Sequence, residues 1–324
     1  MATDSITAAG VPGELAVRRR AGFDRPGYSG PSRSRRIPPI AARFLTEQPM
    51  VVVGAADGAG RLWASQLTGP PGFLRAEPGA ATEPGAAAAE AVTEAADAVT
   101  VAARPAAGDP LAAVLGGPAA VGLIALQPAR RRRMRMNGRS LPSGSGIRVT
   151  LDEVFSNCPK YIQGREPWVE PNSTPGPALR TGELTAEQQR LIHRADTFFV
   201  STANRRGDVD ASHRGGNPGF VQLLDANRLR WPDYQGNAMF CTLGNLAEHP
   251  AAGLLFIDWA SGDTLQLTGS ARTDWDQRHA GELPGAQRVV EFTVTEVVAT
   301  ARASGLRWTR AEYSKFNPPA PEGR

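Results

Sequence analysis

Two short stretches in the second half of the chain carry the side chains best suited to bind a ligand. The first, SHRGGNPGF, places Ser212, His213 and Arg214 directly before Gly215 and Gly216. The glycines allow a ligand to approach the backbone closely, and the arginine offers a full positive charge to an anion such as phosphate. Because neighbouring side chains on a strand face opposite sides, Ser212 and His213 cannot form a nucleophile–base pair.

The second stretch, WPDYQGNAMFCTLGNL, reads as a strand that ends at Gly236 and leads into a helix over residues 237–249. The N-terminus of a helix offers free N–H groups and the positive end of its dipole, which suit a phosphate. Asn237, Thr242 and Asn245 are the candidate polar side chains there. A glycine-rich hairpin followed by a capped helix would produce the same pattern without any ligand, so both interpretations stay open.

The composition excludes several classes of protein. The 324 residues, 41% of them apolar, hold no uncharged apolar run of about 18 residues, so we expect no transmembrane helix. The N-terminus lacks a basic start followed by an apolar stretch, and we therefore expect no secretory signal. Cys158 and Cys241 are too few for a disulfide scaffold or a four-cysteine zinc site. We expect both to be small buried residues of a cytoplasmic protein.

The net charge of +4 arises largely from two arginine-rich segments. One lies within residues 18–36 and the other spans residues 130–135. Few aromatic residues are interleaved with them, so we expect no nucleic-acid binding. We interpret them as a solvated tail and a strand with one arginine face, with docking to an acidic partner or a phosphate-bearing cofactor as the alternative. The four histidines are scattered, and we expect no metal site.

An internal repeat organises the chain. Residues 60–74 and 207–221 align without a gap at an offset of 147 positions, with identical residues that include Gly60/Gly207, Ser65/Ser212 and Phe73/Phe220. Further on, AAVGLIAL (119–126) resembles AAGLLFID (251–258), and RMRMNG, ending at position 138, matches DTLQLTG, ending at position 269, at an offset of 131. An alanine-rich insertion at residues 77–98 accounts for the difference. We therefore expect two copies of one domain.

The repeat divides the chain into five segments: a basic extension at 1–36, a first copy at 37–162, a proline-rich linker at 163–184, a second copy at 185–303 and a tail at 304–324. Each copy is rich in short β-branched or aromatic runs separated by turn residues, which predicts an antiparallel barrel. No strand–helix alternation is present, so we expect no Rossmann sheet. Thr185 is expected to cap a short helix that ends near Asp196.

The order of motifs in residues 196–298 resembles the FMN-binding split-barrel family related to pyridoxamine 5′-phosphate oxidase. The resemblance rests on SHRGG-PGF, on D-GN----TLGNL--P--GLLF-D and on L--TG-A. The first copy, with GELAVRRRAG (13–22), GDPLA (108–112) and NCPKYIQ (157–163), resembles the N-terminal half of a tandem subgroup, some members of which are fused to a flavin and iron–sulfur reductase module.

The resemblance implies a mainly β fold with short helices, built from two tandem six-stranded antiparallel split barrels that pair within the chain as a pseudo-dimer. It places FMN in the cleft between the copies, with F420 or haem as alternatives. It implies the following cofactor-binding residues: Ser212, His213, Arg214, Gly215, Asn237, Thr242, Asn245, Gln266 and Arg272. The first copy has Gln66 and Leu67 where the second has His213 and Arg214. We therefore expect one asymmetric flavin site.

Two functions follow from the resemblance. The first is an FMN-dependent oxidoreductase that takes electrons from a separate flavin/iron–sulfur reductase or from a nicotinamide and passes them to a small-molecule substrate or acceptor. The alternative is a non-catalytic flavin-binding or electron-relay module. We do not expect pyridoxamine-phosphate oxidase activity, because the basic C-terminal substrate site has no counterpart here. No catalytic residue is assigned, no membrane partner is expected, and a further homodimer stays open.

Overall fold

The computed structural model describes residues 12–23, 32–78, 95–156 and 158–319. Its first sheet has seven antiparallel strands in the order β2-β1-β5-β6-β7-β4-β3. Their bounds are β1 (Met50–Ala56), β2 (Leu62–Thr68), β3 (Leu74–Pro78), β4 (Ala96–Val101), β5 (Ala119–Gln127), β6 (Arg132–Ser143) and β7 (Gly146–Ser156). Most of the alanine-rich insertion, residues 79–94, lies outside the described residues.

The second sheet repeats this order as β11-β10-β14-β15-β16-β13-β12, with β9 added against β16. Its strands are β9 (Ala178–Thr181), β10 (Thr197–Ala203), β11 (Val209–Gly215), β12 (Gln222–Leu223), β13 (Arg228–Tyr234), β14 (Ala251–Ile257), β15 (Thr264–Asp274) and β16 (Ala286–Thr300). A separate two-stranded sheet joins β8 (Pro167–Val169) to β17 (Leu306–Trp308). The mainly β fold expected from the sequence is confirmed.

Within the described residues, five short α-helices accompany the sheets: α1 (Pro12–Arg20), α2 (Pro39–Thr46), α3 (Ala186–Arg194), α4 (Cys241–Glu248) and α5 (Gln277–Gly281). The expected cap of α3 is present. The Thr185 hydroxyl accepts a hydrogen bond from the Gln188 N–H, and the Gln188 side chain accepts one from the Thr185 N–H. This capping box satisfies two N–H groups that the helix itself cannot pair. Helix α4 begins four residues later than expected, at Cys241.

The two sheets share detailed positions as well as strand order. Strands β1 and β10, and likewise β2 and β11, begin and end 147 positions apart. A bulge interrupts the β6–β7 pairing before Gly138 and the β15–β16 pairing before Gly269, 131 positions later. Each path holds seven strands where six were expected, because a short edge strand, β3 or β12, forms after the Pro-Gly-Phe turn. The bounds of these strands and the positions of the two bulges thus follow the sequence repeat.

The apolar runs of the central strands arise because these strands are buried on both faces. Val51 and Val53 pack in the core of the first sheet, whereas Val52 faces a shared core that contains Phe199 of the second sheet. Phe198 packs in the second sheet's own core. Alternation along a strand sends successive side chains to opposite faces, so two-sided burial demands a continuous apolar run.

Glycine permits the close approach of the two sheets. A Cβ atom on Gly122 of β5 would lie 2.5 Å from the Ala211 backbone N of β11. A Cβ on Gly253 of β14, which is 131 positions later, would lie 2.5 Å from the Leu62 carbonyl oxygen of β2. Neither position has room for a side chain. The sheets therefore pack backbone to backbone where β5 crosses β11 and where β14 crosses β2.

The segments expected to be a solvated tail and a surface linker are partly built into the fold. Helix α1 packs on α4 so closely that a Cβ on Gly13 would lie 2.2 Å from the Gly244 carbonyl oxygen. Arg18 and Arg33 are buried because they pair with the carboxylate of Glu14. Within the linker, β8 pairs with β17 and β9 extends the second sheet. Backbone pairing and ion pairs help to hold these segments in place, and Val17 and Leu184 also bury their side chains in the second sheet's core.

Candidate functional site

A pocket opens where the first and second sheets meet, beside the N-terminus of α4. Its volume is about 150 Å³, which is room for about ten water molecules or for part of a larger ligand. Residues of both sheets line it, as do the segment before β8 and the connection between β13 and β14. Of the nine residues expected to bind a cofactor, six line this pocket: Ser212, His213, Arg214, Gly215, Asn237 and Thr242.

Strand β11 supplies the second sheet's side of the pocket. Arg214 donates from Nη1 to the Ser212 hydroxyl at 2.8 Å and to the His213 carbonyl oxygen at 3.0 Å. A Cβ on Gly215 would lie 2.0 Å from the Tyr161 carbonyl oxygen, so only glycine lets this segment pass so close to the strand. Ser212 and Arg214 lie two residues apart, on one face of β11, and His213 lies on the other.

His213 faces the first sheet, where it contacts Arg133 of β6. Nη1 of Arg133 lies 2.8 Å from His213 Nδ1. An arginine can only donate, so Nδ1 accepts and the imidazole proton sits on Nε2. Burial, together with the positive charges of Arg133, Arg214 and Arg165, lowers the pKa of His213 well below its usual value. His213 is therefore neutral at pH 7, with an N–H donor at Nε2.

The pocket holds more positive charge than its carboxylates balance. Arg135 pairs with Asp210, and Arg288 pairs with Asp233 at 2.7 Å. Arg133 and Arg214 form no ion pair with a carboxylate within the described parts of the chain. Burial and the neighbouring arginines lower the pKa of both groups, to about 9 for Arg133.

Five buried nitrogen atoms of residues that line the pocket lack hydrogen-bond partners among the described residues. Two of them, Nη2 of Arg135 and Nε of Arg288, belong to arginines that pair with carboxylates. The other three, which belong to groups with no carboxylate partner there, are Nε of Arg133, Nε of Arg214 and Nε2 of His213. Buried donors are nearly always paired in folded proteins, because an unpaired one costs about 1–3 kcal/mol. An unpaired cation costs more. The arrangement suits a ligand that brings negative charge and hydrogen-bond acceptors.

The connection from β13 to α4 forms the far wall. Ala238 and Phe240 both adopt left-handed backbone conformations, with φ of 57°. Such a conformation costs a non-glycine residue roughly 1–2 kcal/mol, so neighbouring contacts must hold it. Arg18 of α1 donates to the Ala238 carbonyl oxygen at 3.2 Å, and the Arg288 guanidinium lies 5.1 Å from the centre of the Phe240 ring.

The first residues of α4 present backbone N–H groups to the pocket. Cys241, Thr242 and Leu243 line it, and N–H groups in the first turn of a helix have no acceptor within the helix. Cys241 is buried, and burial raises the pKa of its thiol, so it stays protonated. Cys158, which also lines the pocket, is partly exposed. The expected helix N-terminus is thus at the pocket, with Asn237 and Thr242 beside it.

The structure places the other three expected residues elsewhere. Asn245 lies one turn further along α4, where its side-chain amide donates to the Thr202 hydroxyl at 3.0 Å. Gln266 is buried against the first sheet and donates to the Ala64 carbonyl oxygen at 3.0 Å. Arg272 is exposed and pairs with Glu291 on the neighbouring strand. None of the three lines the pocket, because Gln266 and Arg272 sit on the part of β15 that faces other surfaces.

Sequence reasoning missed the arginines that the first sheet contributes. Arg133 and Arg135 alternate with Met134 and Met136, whose side chains point into the first sheet's core. That alternation predicts a strand with an arginine face, which we interpret from the sequence as solvated, with docking to an acidic partner or a phosphate-bearing cofactor as the alternative. The signal that could have found the site is the sequence repeat itself, because Arg133 and Arg135 align with Thr264 and Gln266, and uncharged residues replace arginine in the second copy.

With this geometry in view, the comparison with known families becomes informative. Residues 184–306 match the family model described as “Pyridoxamine 5'-phosphate oxidase”. Residues 184–306 belong to the pyridoxamine 5′-phosphate oxidase-related family. The match includes β10 to β16, and with them the β11 strand and the α4 helix that form one side of the pocket. The expected family is thereby confirmed for the second half of the chain, and no curated protein sequence matches the chain.

Solved structures resemble part of the chain. A putative pyridoxamine 5′-phosphate oxidase from Lactobacillus delbrueckii is 21% identical, with 37% of this chain and 97% of that chain covered and a TM-score of 0.30. HupZ from Group A Streptococcus is 15% identical, with 38% and 98% covered and a TM-score of 0.31. A protein described as F420 reductase is 16% identical, with 33% and 91% covered and a TM-score of 0.26. Such low scores support no conclusion about cofactor or substrate.

Two kinds of feature are absent from the described residues. No helix there has the length and apolar character needed to cross a membrane. No group of three or more histidine, cysteine or acidic side chains in these parts of the chain is arranged to hold a metal ion.

Proposed function

We propose that this protein binds FMN in the pocket between its two sheets and acts as an oxidoreductase. The two sheets would be two copies of one split barrel, paired within a single chain. The observation that carries the proposal is the pair of partly buried arginines, Arg133 and Arg214, that have no carboxylate partner, beside the unpaired N–H of His213. A ligand with a phosphate and a ring rich in acceptors complements these groups.

Different residues of the chain would bind the phosphate and the ring of the ligand. The N–H groups at the start of α4 and the guanidinium of Arg214 suit a phosphate. His213 and Arg133, on the first sheet's side, suit the acceptors of a planar ring, and positive charge near such a ring stabilises added electron density. A bound flavin would supply the electron transfer itself. The protein would hold it, exclude water and leave an open side for a donor.

The proposed electron donor is a separate reductase or a reduced nicotinamide.

The pocket lacks an unpaired carboxylate among the described residues, since Asp233 pairs with Arg288. Proton transfer by a protein carboxylate is therefore not part of the proposal. This is compatible with flavin chemistry, in which the cofactor carries the reactive atoms.

The proposal is tested by adding FMN, F420 and haem separately to the purified protein and following absorbance and fluorescence. We expect FMN to bind in a saturable way, and its spectrum to bleach when a reduced nicotinamide or an electron-donating reductase is added without oxygen. Binding of F420 or haem in preference to FMN would contradict the cofactor assignment. Tight FMN binding without reduction by any donor would leave a flavin-binding or electron-relay module.

A further inference from the structure

The sequence repeat predicts a second pocket, related to the first by exchange of the two sheets. The structure contains a cavity at that place, lined by Gln66, Thr68, Leu255, Thr264 and Gln266 among others. Gln66 and Thr68 precede His213 and Gly215 by 147 positions. Leu255, Thr264 and Gln266 follow Ile124, Arg133 and Arg135 by 131 positions. Each wall of this counterpart pocket thus has its equivalent in the proposed cofactor pocket.

Three ionisable side chains of the cofactor pocket have uncharged residues at the equivalent positions of the counterpart pocket. Gln66 stands at the place of His213, Leu67 at that of Arg214, and Thr264 at that of Arg133. Two of the donors at this place are the Ser65 hydroxyl and the Gln266 side-chain amide, which stand at the places of Ser212 and Arg135. Both residues are buried, with 0% and 2% of their surface exposed. Donors buried this deeply require acceptors.

A carboxyl group of the chain itself supplies an acceptor to each of them, and Gln266 Nε2 also donates to the Ala64 carbonyl oxygen and to Ser65 Oγ. The Ser65 hydroxyl donates to Asp109 Oδ1 at 2.7 Å, and Gln266 Nε2 donates to Asp109 Oδ2 at 3.1 Å. The Leu111 N–H donates to Asp109 Oδ1 at 2.8 Å. Burial raises the pKa of the Asp109 carboxyl group, and these hydrogen bonds together with the positive charge of Arg180 limit that rise. Asp109 is therefore held by both sheets at once, through Ser65 of β2 and Gln266 of β15.

Asp109 belongs to the connection between β4 and β5. In the second sheet the equivalent connection runs from β13 to β14 and contains α4, which walls the cofactor pocket. In the first sheet the connection spans residues 102–118, contains a short 3-10 helix over Val114–Gly116 in place of α4, and carries Asp109 inward. The β13–β14 connection therefore lines the open cofactor pocket, whereas the equivalent β4–β5 connection places a carboxyl group inside the counterpart pocket.

We propose that Asp109 occupies, in the counterpart pocket, the place that a ligand anion takes in the cofactor pocket. The counterpart pocket is an anion site closed by the chain's own carboxyl group. It follows that the chain binds one cofactor, not two; this last step rests on the proposed function, whereas the occupation of the site by Asp109 does not. A small carboxylate should enter once the Asp109 side chain is removed.

Chemical rescue tests the inference without any flavin. Asp109→Ala removes a group that formate can replace, so formate at about ten times its Kd should raise the melting temperature by about 2–6 °C in a saturable way. Chloride at equal ionic strength should not. The wild type and Asp152→Ala, an exposed carboxylate with 54% of its side-chain surface accessible, should show no such rescue. Equal effects of formate and chloride on Asp109→Ala, or none, would overturn the inference.

A second measurement does not depend on the folding of a variant. Titration of the wild type with FMN should saturate at one FMN per chain, and two per chain would overturn the inference. If the wild type binds no FMN while formate rescues Asp109→Ala, the proposed function fails and the closed anion site stands. If the wild type binds one FMN while formate has no effect, the cofactor site stands and the closed anion site fails.

Discussion

Replacing Arg214 by alanine should weaken FMN binding and leave the ligand-free fold no less stable. In the ligand-free protein, Arg214 makes two hydrogen bonds, to the Ser212 hydroxyl and the His213 carbonyl oxygen. Against them stand burial and the repulsion of Arg135, which together lower the pKa of Arg214. The two sets of terms oppose each other, so the free energy of unfolding should change by less than about 1 kcal/mol.

In the FMN-bound protein, the favourable and unfavourable contributions of Arg214 no longer cancel. Loss of a charge-assisted hydrogen bond to a ligand anion costs about 1.5–3 kcal/mol, or roughly 10- to 150-fold in Kd. Fluorescence titration with FMN measures the affinity, and urea unfolding of the ligand-free protein measures the stability. Arg272→Ala is the matched control, because Arg272 is exposed, lies outside the pocket and pairs with Glu291 on the neighbouring strand. It should change neither quantity by more than about 1 kcal/mol.

Two results would refute this reasoning. If Arg214→Ala bound FMN as tightly as the wild type, the unpaired guanidinium would not serve the ligand. If it lost stability and affinity together by several kcal/mol, Arg214 would be a structural residue whose partners had been misjudged. Urea midpoints and titrations on the same preparation separate these cases.

Three further outcomes are expected. His213 takes up a proton near pH 6.5 in the unfolded chain but not in the folded chain. Below pH 6.5 the wild type should therefore lose up to about 1.4 kcal/mol of unfolding free energy per pH unit relative to His213→Gln. If the unfolding free energies of the two proteins, measured in urea, changed equally with pH, this expectation would be contradicted. A thiol reagent should label Cys158 before the buried Cys241. FMN at ten times its Kd should slow the labelling of Cys158 about tenfold; an unchanged labelling rate would place FMN elsewhere. Gly122→Val should cost about 1–3 kcal/mol or more by calorimetry, whereas Gly117→Val, with open space around it, should cost less.

Local patterns predicted the strands well. The short β-branched or aromatic runs expected to be strands include residues 51–53 and 198–200, which lie in β1 and β10. The gap-free repeat predicts that β2 and β11 have the same bounds 147 positions apart, as the structure has them. Thr185 marked the start of α3 because a cap acts only on its own first turn. These features depend on residues that are close together in the sequence, so the sequence alone is enough to predict them.

The composition of the pocket depends on distant contacts and was predicted only in part. Each pocket combines β11 or β2 of one sheet with β6 or β15 of the other. Gln266 was therefore assigned to the pocket of its own copy, whereas the structure places it beside Ser65 of the other copy. Arg133 reaches His213 across 80 positions of sequence for the same reason. No spacing rule within one copy reveals such a pairing.

The buried arginines of the N-terminal segment show a second limit of sequence reasoning. Arg18 and Arg33 looked solvated because charged residues usually are. Their burial depends on Glu14 and Glu153, which reach them from α1 and β7. A charge run is buried when carboxylates from other elements meet it, and sequence alone does not show which do.

The most direct test of the account is a crystal structure of the protein loaded with FMN. The account predicts one flavin per chain in the pocket between the sheets. Its phosphate should lie near Arg214 and the start of α4, its ring should lie on the side of Arg133 and His213, and Asp109 should still be bonded to Ser65. Flavin density at another surface, or in both pockets, would contradict it.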